Sequence, residues 1–269
     1  MSYFIFNGID SRKYGVVSAM SLPPVAERNF TEKQIPGRPV PLNRLEVMRK
    51  NVQITVTMTV TDMSLLPEIN SWFQGKGSLI LDSDLTKKYI AYVSKGISPE
   101  RILKLCGSFT IVFTAEPFRY SVENNPVIFG GTTDELIKYN TPVEGTADCE
   151  PLFYVTLAGR IEMTVNGGEP FIFESDGTPT IVNNTKTYKY SREGIFIDCA
   201  LKAAYRINEN GKYVIVTNHT WGTFPTLKCG RNEIQIRLRK ENRVINGETF
   251  VPGNFSYEGF TLTKNERWY

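Results

Sequence analysis

Nine consecutive residues, Val52 to Val60 (VQITVTMTV), alternate without a break, apolar at even positions and Gln or Thr at odd ones. Period-two alternation gathers the apolar side chains on one face of a strand, so the segment predicts a β-strand with one dry and one wet face. Its β-branched content agrees. Such a strand requires a cover, and the next residues supply one. Leu65, Leu66, Ile69, Trp72 and Phe73 recur at helical spacing, with Ser64 as the expected N-cap, Pro67 in the first turn and Gly75 as the stop. The aromatic face of this short helix is expected to lie on a sheet.

Strands resume with Ser78 to Leu81, a turn through Asp82 to Asp84, and Tyr89 to Val93. The alternating run from Phe109 to Ala115 then meets a proline stop at Pro117 and reads as a domain's closing strand. At 269 residues the chain exceeds the usual single domain of about 100–200 residues, so two domains are expected, 1–133 and 134–269. The seam is placed in Pro126 to Pro142, around Gly130 and Gly131. Beyond it the sequence is again nearly all strand: 152–157, 161–165, 171–173, 180–182, 187–190, 195–198, 213–216 and 233–238, with Asn166-Gly167 and Asn210-Gly211 as hairpin turns. Many short strands at this spacing indicate a sandwich or jelly roll.

Pro24 to Arg44 differs from its surroundings. It is rich in Pro, Arg, Glu and Asn, with too few large apolar residues to hold a core of its own. We read it as an arm or hairpin that packs on a neighbouring copy.

Chemistry is sparse. The charges nearly cancel, with 31 Lys and Arg against 28 Asp and Glu, so nothing demands nucleic acid or an anionic membrane. No apolar run approaches the roughly 18 residues of a membrane span, and the start lacks a secretion signal, so the chain is expected in a cytoplasm. The four cysteines, Cys106, Cys149, Cys199 and Cys229, lie far apart and read as buried structural thiols rather than metal ligands. His219 is the sole histidine, which leaves a His-based triad or a multi-His metal cluster without partners. The nearest carboxylate pairs, Asp82 with Asp84, Glu144 with Asp148 and Glu169 with Glu174, read as solvated turn residues rather than glycosidase pairs. Arg231, Arg237, Arg239, Lys240 and Arg243 cluster without interleaved aromatics and read as a solvated strand face. No catalytic residue, metal or cofactor is called for.

Taken in order, several segments resemble the distal tail protein (Dit) family of siphophages of Gram-positive bacteria, a phage tail component. They are Phe4 to Gly8 followed by Tyr14-Gly15, Ile35 to Arg38, the strand–helix unit ending Trp72 to Gly75, and Gly107 to Tyr120. In the other half, Ile197-Asp198 followed by Phe224 to Asn232 is similar to the family's pattern of Asp and then Phe-Pro-x-Leu-x-x-Gly-x-Asn. Pro39 to Pro41 stands where family members often carry another glycine.

The resemblance implies a mainly β protein. An N-terminal β-rich, split-barrel-like domain with one short helix would form a homohexameric ring, and a C-terminal galectin-like, jelly-roll β-sandwich would lie outside it. Its implied place is the virion tail tip, assembled in the bacterial host cytoplasm from phage or prophage genes. Implied partners are further copies of itself, the tail tube protein, the tape-measure protein, and baseplate or tail-fibre proteins, with no sequence-specific nucleic acid and no membrane. The ring contact is expected at Arg28, Ile35, Gly37 and Arg38. Two alternatives stay open: a carbohydrate-binding tail module that recognises the host cell wall, with Asn218, His219 and Trp221 as the contact, and a tail-associated hydrolase that cleaves wall polymer with one of the carboxylate pairs.

Overall fold

The structure is a computed structural model that describes residues 2–37, 39–96, 100–101, 106–130, 136–239, 242–254 and 256–269; for 29, 30, 42–47, 101 and 254 it describes the backbone alone. The protein is mainly β, with one short helix. It divides into two compact units, Met1–Glu123 with Arg267–Tyr269, and Asn124–Glu266. The boundary expected at 133/134 lies outside the described residues.

The first unit contains β1 (Phe4–Phe6), β2 (Ile9–Asp10), β3 (Gly15–Met20), β4 (Arg28–Lys33), β5 (Leu42–Arg49), β6 (Val52–Val60), α1 (Leu66–Trp72), β7 (Lys76–Leu81), β8 (Asp84–Val93), β9 (Glu100–Arg101) and β10 (Gly107–Ser121). It also holds the last strand of the chain, β26 (Arg267–Trp268). A nine-stranded sheet runs β2-β1-β7-β8-β10-β6-β3, with β9 and β26 also pairing with β10.

The alternation read from β6 is realised in full, because every even residue from Val52 to Val60 is buried. Its neighbour β10 pairs Ile111 with Val56 and Phe113 with Ile54, so the two strands present one apolar face. Helix α1 covers that face with Ile69, Trp72 and the capping Phe73. Trp72 stacks on Phe4 at 5.6 Å and donates its indole N–H to the Phe6 carbonyl at 2.8 Å, which satisfies the one polar atom that burying the ring would strand. Gly75, at φ +80, turns the chain out of the helix in a conformation that a side chain would resist.

Two local expectations are corrected. Ser64 is not the cap: the Asp62 carboxylate accepts the Ser64 N–H at 2.9 Å and opens a 3-10 turn, Met63–Leu65, that leads into α1. Nor does Pro117 stop β10. The strand's register with β8 shifts between Ala115 and Arg119, and Pro117 sits in that bulge, where no ladder donor is required. Beyond it β10 pairs again, Arg119 with Tyr89 and Tyr120 with Lys88.

The second unit contains β11 (Val127–Gly130), β12 (Leu136–Val143), β13 (Leu152–Ala158), β14 (Arg160–Val165), β15 (Phe171–Glu174), β16 (Gly177–Val182), β17 (Thr185–Tyr190), β18 (Glu193–Asp198), β19 (Ala203–Ile207), β20 (Tyr213–Ile215), β21 (Thr220–Gly222), β22 (Gly230–Arg239), β23 (Arg243–Ile245), β24 (Glu248–Asn254) and β25 (Ser256–Thr263). A six-stranded sheet, β11-β25-β13-β18-β19-β20, and a five-stranded sheet, β12-β22-β14-β15-β21, form a β-sandwich. Phe153, Ile197 and Leu262 from the first meet Met163, Phe173 and Ile236 from the second in one core. A further sheet, β16-β17-β24-β23, carries its own small cluster of Tyr188, Tyr190, Phe250 and Ala158.

The segment expected as a seam therefore holds two strands. In β12 the inward residues Ile137, Thr141 and Val143 alternate with exposed Leu136, Lys138, Asn140 and Pro142. The pattern is hidden in the sequence because its outer row includes a leucine and a proline and its inner row a threonine. The thiols also need correction, since Cys149 and Cys199 are buried but Cys106 is half-buried and Cys229 is exposed. Burial pushes the Cys199 thiol far above its ordinary range.

Candidate functional site

The segment singled out in the first unit is a hairpin. Strands β4 and β5 pair antiparallel, Arg28 with Arg49 and Lys33 with Leu42, with an irregularity between Arg28 and Phe30. Among the described residues they form a two-stranded sheet of their own, outside the nine-stranded one. The arm is longer than the sequence suggested, because β5 runs to Arg49 rather than ending at Arg44. Its tip turns through Pro36 and Gly37, the latter at φ +83 with open space where a side chain would be.

The tip is apolar and wet. Ile35 is 41% exposed and Val40 61%, and with Pro36, Pro39 and Pro41 they form a non-polar knob at the end of a polar hairpin. On the approach to the arm, Leu22 and Val25 are also exposed. Arg28 lies exposed at the start of β4, and Arg38 lies outside the described residues.

The base of the hairpin is held more firmly. The Lys50 N–H donates to the Glu27 carbonyl at 3.0 Å, and the two side chains form an ion pair at 3.0 Å. Arg49 donates to the Ala26 carbonyl at 3.2 Å, and its guanidinium lies 3.9 Å from the centre of the Tyr269 ring.

In the second unit, Asn218 and His219 lie on a 3-10 turn, Thr217–His219, and Trp221 lies on the following edge strand β21. The structure gives them different neighbours. His219 Nδ1 is 3.5 Å from Asp176, which also approaches Arg206, itself 2.7 Å from the buried carboxylate of Glu193. Burial raises the Glu193 carboxyl despite Arg206 beside it. Trp221 is 47% exposed, with the Arg160 guanidinium 5.9 Å from its ring centre, and Asn218 is exposed.

Sequence reasoning missed a second aromatic feature in this unit. Tyr154, Phe196, Tyr205 and Tyr213 form a chain of ring contacts at 4.7, 5.3 and 5.2 Å across β13, β18, β19 and β20. The first three are cross-strand partners, and Ile128 and Ile215 continue the same row at its ends. The signal was present as odd or even aromatics in four separate strands, but their alignment depends on register, which the sequence does not display.

The carboxylates weighed as acid pairs are mostly engaged elsewhere. Asp84 lies 3.0 Å from Lys87 and is held below its ordinary range by hydrogen bonds from Thr86 and Lys87. Asp148 pairs with Lys228 at 2.6 Å. Glu174 was expected in solvent but is only 5% exposed, since β15 turns it inward to meet Arg243 at 3.0 Å and the Tyr190 hydroxyl at 3.1 Å. Burial, and then the Glu174 charge, push the Tyr190 phenol up to about 12. Arg237 is solvated as expected, whereas Arg239 is engaged by Glu162.

Among the described residues no group of three His, Cys, Asp or Glu is placed to hold a metal ion. None of their helices is long and apolar enough to cross a membrane.

No protein-family model and no curated protein matches the sequence. The fold is similar to that of SPP1 Dit. That protein (gp 19.1), known from a crystal structure, is described as a paradigm of the hub adsorption apparatus in phages that infect Gram-positive bacteria. The two superpose with a TM-score of 0.59 at 11% identity, over 89% of this chain and 99% of SPP1 Dit. A Dit-like fold therefore spans nearly the whole molecule.

The motifs that carried the sequence resemblance act as folding devices here. Asn232 is fully buried and closes the 224–232 loop, donating to the Lys228 and Gly230 carbonyls at 2.8 and 3.0 Å and accepting the Lys228 N–H at 2.8 Å. Asp198 accepts the N–H groups of Ala200 and Leu201 at 3.0 and 2.9 Å to turn the chain after β18.

Proposed function

We propose that this protein is a structural subunit of a phage tail, a hub whose copies close into a hexameric ring between the tail tube and the host-adsorption apparatus. The observation that carries the reading is the likeness of fold to SPP1 Dit over nearly the full length of both chains. The β4–β5 arm supports the self-association part. A two-stranded hairpin is marginal by itself in water, and this one ends in an exposed apolar knob, so a neighbouring copy is the natural cover.

In this reading Arg28, Ile35, Gly37 and Arg38 lie at the subunit contact, and the tape-measure protein and DNA pass through the ring without sequence recognition. The second unit is a galectin-like sandwich that meets baseplate or tail-fibre proteins. The protein belongs to the virion tail tip, of phage or prophage origin, is assembled in the host cytoplasm, and makes and breaks no bond. The neutralised carboxylates favour a structural role over hydrolysis.

Light scattering and negative-stain imaging of the purified protein test this directly. A six-membered ring is expected, alone or with its tail tube partner. A monomer at every concentration, with that partner present, would reject it.

A second reading, a module that binds cell-wall carbohydrate, is favoured by the aromatic row from Tyr154 to Tyr213 and by exposed Trp221. Saturable binding on a glycan array that is lost in Tyr205→Ala or Trp221→Ala would establish it.

A further inference from the structure

We propose that Tyr269, carried back to the first unit by β26, is a latch that fixes the base of the β4–β5 arm. The inference rests on the arm being the assembly element, and it adds a positioning residue far from the arm in sequence. β26 pairs with β10 just past the Pro117 bulge, Trp268 opposite Arg119 and Arg267 opposite Tyr120. That stretch of β10 also pairs with β8 on its other side, so β26 is the third strand of a paired layer.

Contacts with the first unit set Tyr269 in place. Its ring meets Phe118 at 5.5 Å, its backbone oxygen accepts from Arg119 at 3.0 Å, and the Arg49 guanidinium lies 3.9 Å from its ring centre. Arg267 lies over Phe118 at 5.3 Å and Lys87 over Trp268 at 5.0 Å, which add cation–π contacts along the returning segment.

Arg49 is the last residue of β5, opposite Arg28, the first of β4. It also donates to the Ala26 carbonyl, so one guanidinium touches the returning segment and both legs of the hairpin base. Tyr269 further lines a cavity of about 190 Å³ together with Pro23, Pro24 and Val25, the residues that lead into the arm. Because β4 and β5 have no other strand partner among the described residues, the direction in which the arm leaves the unit is set at this base. Ring closure needs a fixed direction, since each copy must offer its arm at the angle that returns to the starting subunit after a set number of steps.

The test is hydrogen exchange on the full chain, comparing samples matched in oligomeric state by light scattering. In Tyr269→Ala the amides of 28–33 and 42–49 should exchange roughly fivefold faster, the loss expected for one partly shielded cation–π contact. Amides of β6 should not change. Tyr269→Phe, which keeps the ring face, should restore the arm to wild-type protection. Arm exchange unchanged in Tyr269→Ala, or equally fast in Tyr269→Phe, would overturn the latch. Should Tyr269→Ala loosen β6 as well, Tyr269→Leu, which keeps apolar bulk against Phe118 but offers Arg49 no ring face, decides: faster exchange confined to the arm supports the latch, and none overturns it. The ring reading fails separately, if the wild-type protein stays monomeric; the exchange result stands apart from that outcome.

Discussion

The two-stranded arm β4–β5 and the hairpin β16–β17 are both short antiparallel strand pairs and sit in opposite circumstances. The polar residues of the arm are mostly Arg, Asn and Glu, those of β16–β17 mostly Thr and Lys. The second closes through Asn183 and Asn184, both at positive φ, and its strand β17 finds a parallel partner in β24, which pairs in turn with β23. Tyr188 and Tyr190 then bury against Phe250, and Glu174 with Arg243 completes the layer. The arm has none of this backing among the described residues. A hairpin whose chain supplies a third strand and a core is a finished piece of fold; one whose chain supplies only a clamp at its base is an offered surface.

Four measurements bear on the two hairpins and the units that carry them. The largest effect is expected from excising the arm: joining Arg28 to Arg49 through a Gly-Ser pair should abolish the oligomer while far-ultraviolet circular dichroism stays that of the wild type. A ring that survives the excision places the interface elsewhere.

Next is Glu174→Ala, which removes the buried carboxylate that meets Arg243 and the Tyr190 hydroxyl. Because the Arg243 side chain keeps contact with water, a loss of about 2 kcal/mol is expected in urea titration, with faster exchange in β16 and β17 but not in β4 and β5. Equal loosening of both hairpins would erase the distinction drawn here.

Trp72→Phe removes the hydrogen bond to Phe6 and part of the aromatic packing. It should cost about 1–2 kcal/mol of first-unit stability without changing the oligomer.

Smallest is Asp84→Asn. The folded Asp84 carboxyl is depressed, so its contribution is complete above the unfolded value near pH 4 and drains as pH falls through the folded value. The substitution should flatten the acid limb of the stability curve by a fraction of about 1 kcal/mol, because the pair is partly solvated. An acid limb unchanged from wild type removes Asp84 from the account.

What the sequence displayed was whatever local period could carry. The β6 alternation and the α1 face were plain because each is complete within nine residues. Strand β12 was not, since a leucine and a proline occupy its outer row, and β10 ran on through a proline because a bulge removed the need for its N–H. The arm announced itself by composition, yet its full length to Arg49 depended on pairing with β4. Glu174 read as a surface acid because Arg243, its partner in space, lies in a distant strand. The aromatic row and the Tyr269 contact were invisible for the same reason: each brings together residues whose proximity is a product of register and topology.

The return of β26 to β10 has a consequence for the order of events at the ribosome. Every strand of the sandwich is synthesised between Tyr120 and the Arg267 that pairs with it, so the first unit must wait with one position in its sheet vacant. A nascent chain therefore fills that position in the first unit's sheet only after translation has passed Trp268, with the whole sandwich already made.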